Sequence, residues 1–260
     1  MAAAEEHLLI GIHSVAAALK TAPERVSRVV IAAELQNPRV QELEQQARTL
    51  GIRVERQPRS ALDRRSQGER HQDVMAEFAA GNIWSERDLD RLLAEITGPP
   101  LILVLDGVQD PHNLGACLRT AEAAGVHLVI VPKDRSASLS AVARRAASGA
   151  AEVLNLVSVT NLARVLRKLK QAGIWLAAAS GQAEKELYAA DLTGPLALVM
   201  GGEGQGLRRL TAELCDYHIR IPMYGTVSSL NVSVATAICV YEIIRQRNAA
   251  QTNAAQRNAV

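Results

Sequence analysis

The feature that most constrains this chain begins at Leu101. From there, apolar runs of strand length recur at 101–105, 128–131, 153–157, 174–179, 196–200 and 219–221. Helical segments lie between them at Asn113–Ala124, Ser140–Ala147, Asn161–Ala172 and Leu207–Cys215. The runs are continuous rather than alternating, so each strand must be buried on both faces. Continuous strands separated by helices predict an α/β fold with a parallel sheet covered on both sides. Gly125 and Gly173 stand where two of these helices should stop. The last segment, Val232–Ile244, is apolar nearly all round, and such a helix needs burial on more than one side. A subunit interface would supply it.

Residues 8–80 read as a second, smaller α/β domain. A helix opens at Gly11-Ile12-His13-Ser14-Val15, runs through Leu19 and is ended by Pro23. Val26–Ile31 reads as a strand, Arg39–Leu50 as a helix closed by Gly51, and Ile52–Val54 as a short strand. Asp73–Ala79 offers a last strand. The texture changes over 81–100, which holds a short helical stretch at Asp88–Ile96 with Ser85 near its start. The expected domains are therefore 1–80, a linker at 81–98, and a larger domain at 99–247. Residues 248–260, rich in Asn, Gln and Ala and without periodicity, are expected to form a disordered tail.

Composition narrows the function classes. Hydrophobic residues make up 48% and charged residues 22%, the balance of a globular domain. Aromatics are only 3%, which disfavours base-stacking platforms and leaves core building to aliphatic side chains. The net charge of +2 is too small to bind phosphate without local clustering. One cluster is present: Arg56, Arg59, Arg64, Arg65 and Arg70, interrupted by Asp63 and Glu69, reads either as a phosphate-binding surface or as a solvated loop. Cys117, Cys215 and Cys239 form no CxxC pair, so free thiols in a reducing cytoplasm are expected and no metal site is. No stretch approaches 18 uninterrupted apolar residues, and no membrane span is expected.

Three segments carry chemistry. Asp106 to Arg119 follows a buried strand and opens a helix; Asn113 there reads as a helix cap or as a functional amide. Arg119 has Gly115 four positions before it, so no i−4 carboxylate pairs with it along the helix. It lies near the C-terminal end of a parallel strand, where α/β sheets bind ligands. Gly201-Gly202-Glu203-Gly204-Gln205-Gly206 also follows a strand. Its glycines permit close backbone approach, but it matches neither a P-loop nor a GxGxxG fingerprint. Glu203 would repel a phosphate, so a ligand with donors or positive charge fits better, unless Glu203 is simply solvated. Ile221-Pro222-Met223 and then Ser228-Ser229-Leu230-Asn231 precede the last helix, where Ser and Asn are also ordinary caps.

Taken together, DxVxDPxNxGxxxR, GGEGQG, and IPM followed by SSLNVSVA resemble the three signature blocks of the SpoU (TrmH-like) family of RNA 2'-O-ribose methyltransferases, in that order and at similar spacing. The opening Gly11–Val15 is similar too. The long match through Val131-Pro132-Lys133-Asp134-Arg135-Ser136 points to the branch that methylates a guanosine ribose in 23S ribosomal RNA. The resemblance implies a SPOUT-type trefoil knot in the larger domain, a homodimer, and S-adenosyl-L-methionine as cofactor. It places Arg119 beside the 2'-hydroxyl, as a base or as a cation stabilising the alkoxide. Asn113 would position the ribose or a phosphate, Glu203 would orient Arg119 or Asn113, and Ser229 and Asn231 would complete the polar lining. Gly201, Gly202, Gly204, Ile221, Pro222, Met223 and Leu230 would hold the cofactor. The first domain resembles the family's ribosomal-protein-like RNA-binding module, with His71-Gln72-Asp73 where members often carry His-Gln-Gly. A tRNA ribose methyltransferase, a base methyltransferase and a non-catalytic ribosome-assembly factor are the alternatives.

Overall fold

The computed structural model describes residues 6–34, 37–66, 68–79, 83–204 and 206–257. Two compact units emerge: Met1–Gly81 with Ser148–Val153, and Asn82–Ala147 with Leu154–Val260. Along the chain, the first contributes β1 (Glu6–Ile10), α1 (Ile12–Thr21), β2 (Val26–Ala32), α2 (Pro38–Thr49), β3 (Arg53–Gln57), α3 (Arg59–Arg65) and β4 (Val74–Ala79). The second follows with β5 (Trp84–Ser85), α4 (Leu89–Ala94), β6 (Leu101–Asp106), α5 (Pro111–Ala123), β7 (Leu128–Pro132) and α6 (Ala141–Ala147). A helix of the first unit, α7 (Ala150–Val153), comes next. Then come β8 (Asn155–Val159), α8 (Leu162–Gln171), β9 (Trp175–Ala179), β10 (Leu196–Gly201), α9 (Arg209–Leu214), β11 (Tyr217–Ile219) and α10 (Val232–Arg257).

In the first unit, successive side chains of β2 point to opposite faces of the sheet and join different cores. Val29 and Ile31 join the core built with α1 and α2, while Val30 and Ala32 pack with Leu62 of α3 and Met75. The strand order is β1-β4-β2-β3. The sequence allows 56–70 to be either phosphate surface or solvated loop, and the structure contains a helix there. Arg56 pairs with Glu44 at 2.7 Å, Arg65 with Glu77 at 2.6 Å, and Arg59 lies 3.6 Å from Asp73. Three of the five arginines thus already face carboxylates. Gln72 and Asp73 both adopt left-handed backbone, with φ of 52° and 64°. That conformation explains why a glycine is at home at the last position of this tripeptide. It also lets the Gln72 side chain accept from the Ile12 N–H at 3.2 Å.

The second unit carries a seven-stranded sheet in the order β11-β9-β10-β6-β7-β8-β5, with every pair parallel. All six residues of β6 are buried, as continuous apolar strands require. Chain order runs outward from β6 through β7 and β8 on one side, and the later strands lie on the other. The order therefore reverses between β6 and β10, whose final residues, Asp106 and Gly201, stand opposite each other in register. Crevices at such a reversal, beyond the carboxyl ends of the strands, are where open α/β sheets bind ligands.

Two sequence expectations need correcting. The linker at 81–98 is not a bare connection: Trp84–Ser85 pairs with β8 as the edge strand, and Ser85 and Asp88 form a capping box. The tail expected to be disordered from 248 continues α10 to Arg257. Ala and Gln are good helix formers, and elongating an existing helix avoids the cost of nucleation. Gln246 and Arg247 fasten that helix. Gln246 bonds Leu192 N–H and Ala190 C=O, and Arg247 donates to the carbonyls of Pro99, Pro100 and Gly194 at 2.7–2.9 Å. Smaller shifts are that the run at 153–157 begins as α7 and becomes strand only from Asn155, and that the last strand ends at Ile219, leaving Arg220 and Ile221 in the following loop.

Candidate active site at the carboxyl edge of the parallel sheet

The helix after β6 is capped by Asp110, whose side chain accepts from the His112 N–H at 2.8 Å, with Pro111 as its first residue. Asn113 is therefore not the cap. It sits one turn inside α5 and its amide is free for other partners. At 9% exposure, that amide must be satisfied by the protein. It donates to Glu203 Oε1 at 2.8 Å and accepts from the Asn231 side chain at 3.0 Å. Asn231 also caps α10, accepting from the N–H and hydroxyl of Ser233 at 2.8 and 2.6 Å. A hydrogen-bonded line, Glu203–Asn113–Asn231, thus joins all three sequence motifs.

The second oxygen of Glu203 accepts from the Gln109 N–H at 3.1 Å. Partial burial pushes this carboxyl up. Hydrogen bonds from Asn113 and from backbone N–H groups, including those of Gln109 and Asp110, outweigh that and hold it below its ordinary value. Glu203 is thus ionised at neutral pH, a state that its exposed loop also favours.

The glycines of the second motif hold the backbones together. A Cβ on Gly202 would lie 2.1 Å from the Gly107 carbonyl oxygen, and one on Gly201 would lie 2.2 Å from the Gly206 carbonyl carbon. Gly202 N–H bonds the Asp106 carbonyl at 3.0 Å. Sequence reasoning misses the lock beneath this contact. Asp106 is buried; its Oδ2 accepts from Arg208 N–H at 3.1 Å, and its Oδ1 lies 2.6 Å from the Arg208 guanidinium, a contact of charge rather than an aligned hydrogen bond. The signal that could have found it is an acid ending the otherwise apolar run Leu101–Leu105.

Gly204 is open and left-handed, with φ 77° and nothing within 4 Å of the position a Cβ would take. Ile221, Pro222, Met223 and Leu230 are half-buried. Arg220 fixes the third loop from outside, through an ion pair with Glu186 at 2.9 Å and backbone bonds to Lys185 and Leu187. A glycine-rich loop bearing a carboxylate suits a ligand that offers donors or positive charge and disfavours polyphosphate. Arg119 and Ser229 are exposed, and the hydrogen bonds linking Glu203, Asn113 and Asn231 do not run through them. Arg119 lies six residues beyond Asn113 on the same helix, about 9 Å along its axis. Cys117 of α5 meets Thr236 of α10 at 3.6 Å, tying the first and third motifs together a turn below the polar line. Among the described residues, no group of His, Cys, Asp or Glu could hold a metal ion.

The chain is similar to known proteins over most of its length. The model of the SpoU rRNA Methylase family matches residues 100–241, and that for RNA 2'-O ribose methyltransferase substrate binding matches residues 8–84. The 23S rRNA (guanosine-2'-O-)-methyltransferase RlmB of Pseudomonas aeruginosa is 54% identical over 91% of this chain and 95% of its own length. RlmB of Pasteurella multocida is 55% identical over 92% and 98%. The SpoU methyltransferase AviRb from Streptomyces viridochromogenes, solved in complex with the cofactor AdoMet, superposes with a TM-score of 0.75 at 26% identity, over 94% of this chain and 91% of that one.

Proposed function

Because the chain belongs to the SpoU family of RNA methylases, we propose that it methylates the ribose 2'-hydroxyl of a guanosine in 23S ribosomal RNA, with Arg119, Asn113, Glu203, Ser229 and Asn231 at the reacting centre. It is an S-adenosylmethionine-dependent RNA methyltransferase. The observation that carries the residue assignment is the hydrogen-bonded line that joins one side chain from each motif at the reversal of strand order.

The residues present fit the cofactor: Gly204 leaves open space in the loop, and Ile221, Pro222, Met223 and Leu230 offer half-buried apolar side chains and backbone groups that would hold it together with Gly201 and Gly202. When bound, S-adenosylmethionine supplies an electrophilic methyl on a positively charged sulfur. The remaining work falls to the chain: holding the ribose oxygen in line and stabilising it as it loses its proton. An arginine side chain offers no acceptor lone pair, so Arg119 acts as a cation beside the developing alkoxide, and the proton of the hydroxyl passes to solvent water. Glu203 orients the Asn113 amide, and Asn113 with Asn231 and Ser229 positions the ribose. Residues 1–80 bind the RNA, and 99–247 form the catalytic, knotted domain.

The same reading makes the protein a cytoplasmic homodimer. Val234 and Tyr241, seven positions apart on α10, expose apolar surface that a second copy would cover. Burial pushes the Cys117 thiol up to about 11 and those of Cys215 and Cys239 up to about 12, so all three stay protonated and unreactive. No described helix is long and apolar enough to cross a membrane.

The deciding experiment transfers labelled methyl groups to 23S rRNA lacking the modification and identifies the nucleoside by mass spectrometry after nuclease digestion. 2'-O-methylguanosine is expected; a base-methylated nucleoside would overturn the ribose assignment. In the same assay Arg119→Ala should lose about 10²–10³-fold in turnover while binding the cofactor normally.

A further inference from the structure

The segment Lys133-Asp134-Arg135-Ser136, which follows β7, has no part in the site described so far. We propose that Lys133 and Arg135 form a phosphate clamp that holds the RNA backbone beside the target ribose. The inference rests on the methyltransferase reading above and assigns a positioning role within it.

Three observations carry it. The first is location. β7 pairs in parallel with β6, so the 133–140 loop leaves the same carboxyl edge of the sheet as the loop after Asp106. The two loops are joined directly: Val108 C=O accepts from the Ala137 N–H at 2.7 Å and the Ser136 hydroxyl at 3.2 Å. The Arg135 carbonyl oxygen lies 3.6 Å from where a Cβ on Gly107 would stand.

The second is rigidity. Lys133 N–H bonds Val159 C=O at 2.8 Å at one end of the loop. At the other end, α6 is pressed so closely on α5 that a Cβ on Gly115 would come within 2.3 Å of the Ala143 oxygen. A loop held at both ends and pinned in the middle can present a charge with little ordering cost on binding.

The third is conformation and charge. Arg135 adopts left-handed backbone, φ 57°, which is unfavourable for a long side chain and persists only where the surroundings impose it. Lys133 and Arg135 are both exposed, and neither has an ion-pair partner among the described residues. Asp134, also exposed, lies between them and leaves the tripeptide a net charge of one positive. A strained arginine on an anchored loop next to the catalytic motif is suited to binding an anion, and the anion that accompanies every ribose in RNA is its phosphate.

The test is Arg135→Gly in the full-length protein. Glycine takes a positive φ without strain, so the change removes the cation without endangering the fold. Binding to an unmodified 23S rRNA transcript, without cofactor, should show a log K against log salt slope shallower by about 0.7–1. In turnover, KM for the RNA should rise about tenfold, with kcat and cofactor affinity near wild type. Adding Lys133→Ala should flatten the slope further, and Arg135→Lys should recover most of it. An unchanged slope and KM would overturn the clamp, as would a loss confined to kcat. The salt slope is read without methyl transfer. A wild-type protein that makes no 2'-O-methylguanosine would therefore refute the functional reading separately.

Discussion

At the scale of single residues, the site depends on a carboxylate that stays ionised in a loop. Glu203 is held below its ordinary value by donors that exist only in the folded chain. Its contribution to stability is therefore present above the unfolded value and is lost as the pH falls through the lowered folded one. Glu203→Gln removes that dependence. Urea unfolding of wild type and variant should differ most near neutral pH and converge on acidification; a constant difference would remove the carboxylate from the network. Glutamine also presents an N–H₂ to the Gln109 N–H, which misplaces Asn113. Turnover should fall by about 10²-fold, a size expected for a small misalignment of a positioning group. Asp106 is the counterpart below the loops, a buried acid that fixes the glycine-rich backbone through Arg208.

At the scale of elements, close packing positions the motifs. Gly115 faces α6 with no room for a methyl group. Gly115→Ala should cost roughly 1–3 kcal/mol by overpacking, read as a lower urea midpoint, and should displace α5 and with it Asn113. A variant as stable as wild type would mean that α6 can move aside freely, and the anchored loop before it would lose its rigidity. Element types were legible in the sequence because they follow local rules. Continuous apolar runs gave buried parallel strands, and Gly51, Gly125 and Gly173 stop helices in left-handed backbone as expected. Illegible elements depended on distant partners. Trp84–Ser85 is a strand only because β8 lies beside it, and residues 248–257 are helical because α10 already reaches them. Composition alone pointed to a linker and a tail.

At the scale of the whole molecule, the chain forms two units with separate cores. A chain beginning at residue 82 should bind S-adenosylmethionine as tightly as the full protein, measured by calorimetry, while its affinity for 23S rRNA falls at least about tenfold. RNA affinity equal to wild type would deny the first domain its proposed role. The truncated chain should also melt at lower temperature. Ala150, Ala151 and Glu152 are buried within the first unit, and Gly149 is packed so tightly there that its Cβ would lie 3.2 Å from the Ser14 Cα.

The amino-acid sequence by itself determined the α/β class, the strands and helices of the larger domain, and the identities of the polar residues in the three motifs, because apolar periodicity and glycine placement act over a few residues. It left Asn113 balanced between cap and functional amide, since both roles use the same side chain at a helix start. Tertiary structure decided between them: Asp110 took the cap, and Asn113 was brought to Glu203 and Asn231, 90 and 118 residues away in sequence. Likewise, only the fold showed that most of the arginines at 56–70 face carboxylates while Arg135 is held out on a braced loop. Charges are written in the sequence, but whether a charge meets its opposite inside the protein or is left to meet a ligand depends on distances that only the folded chain sets.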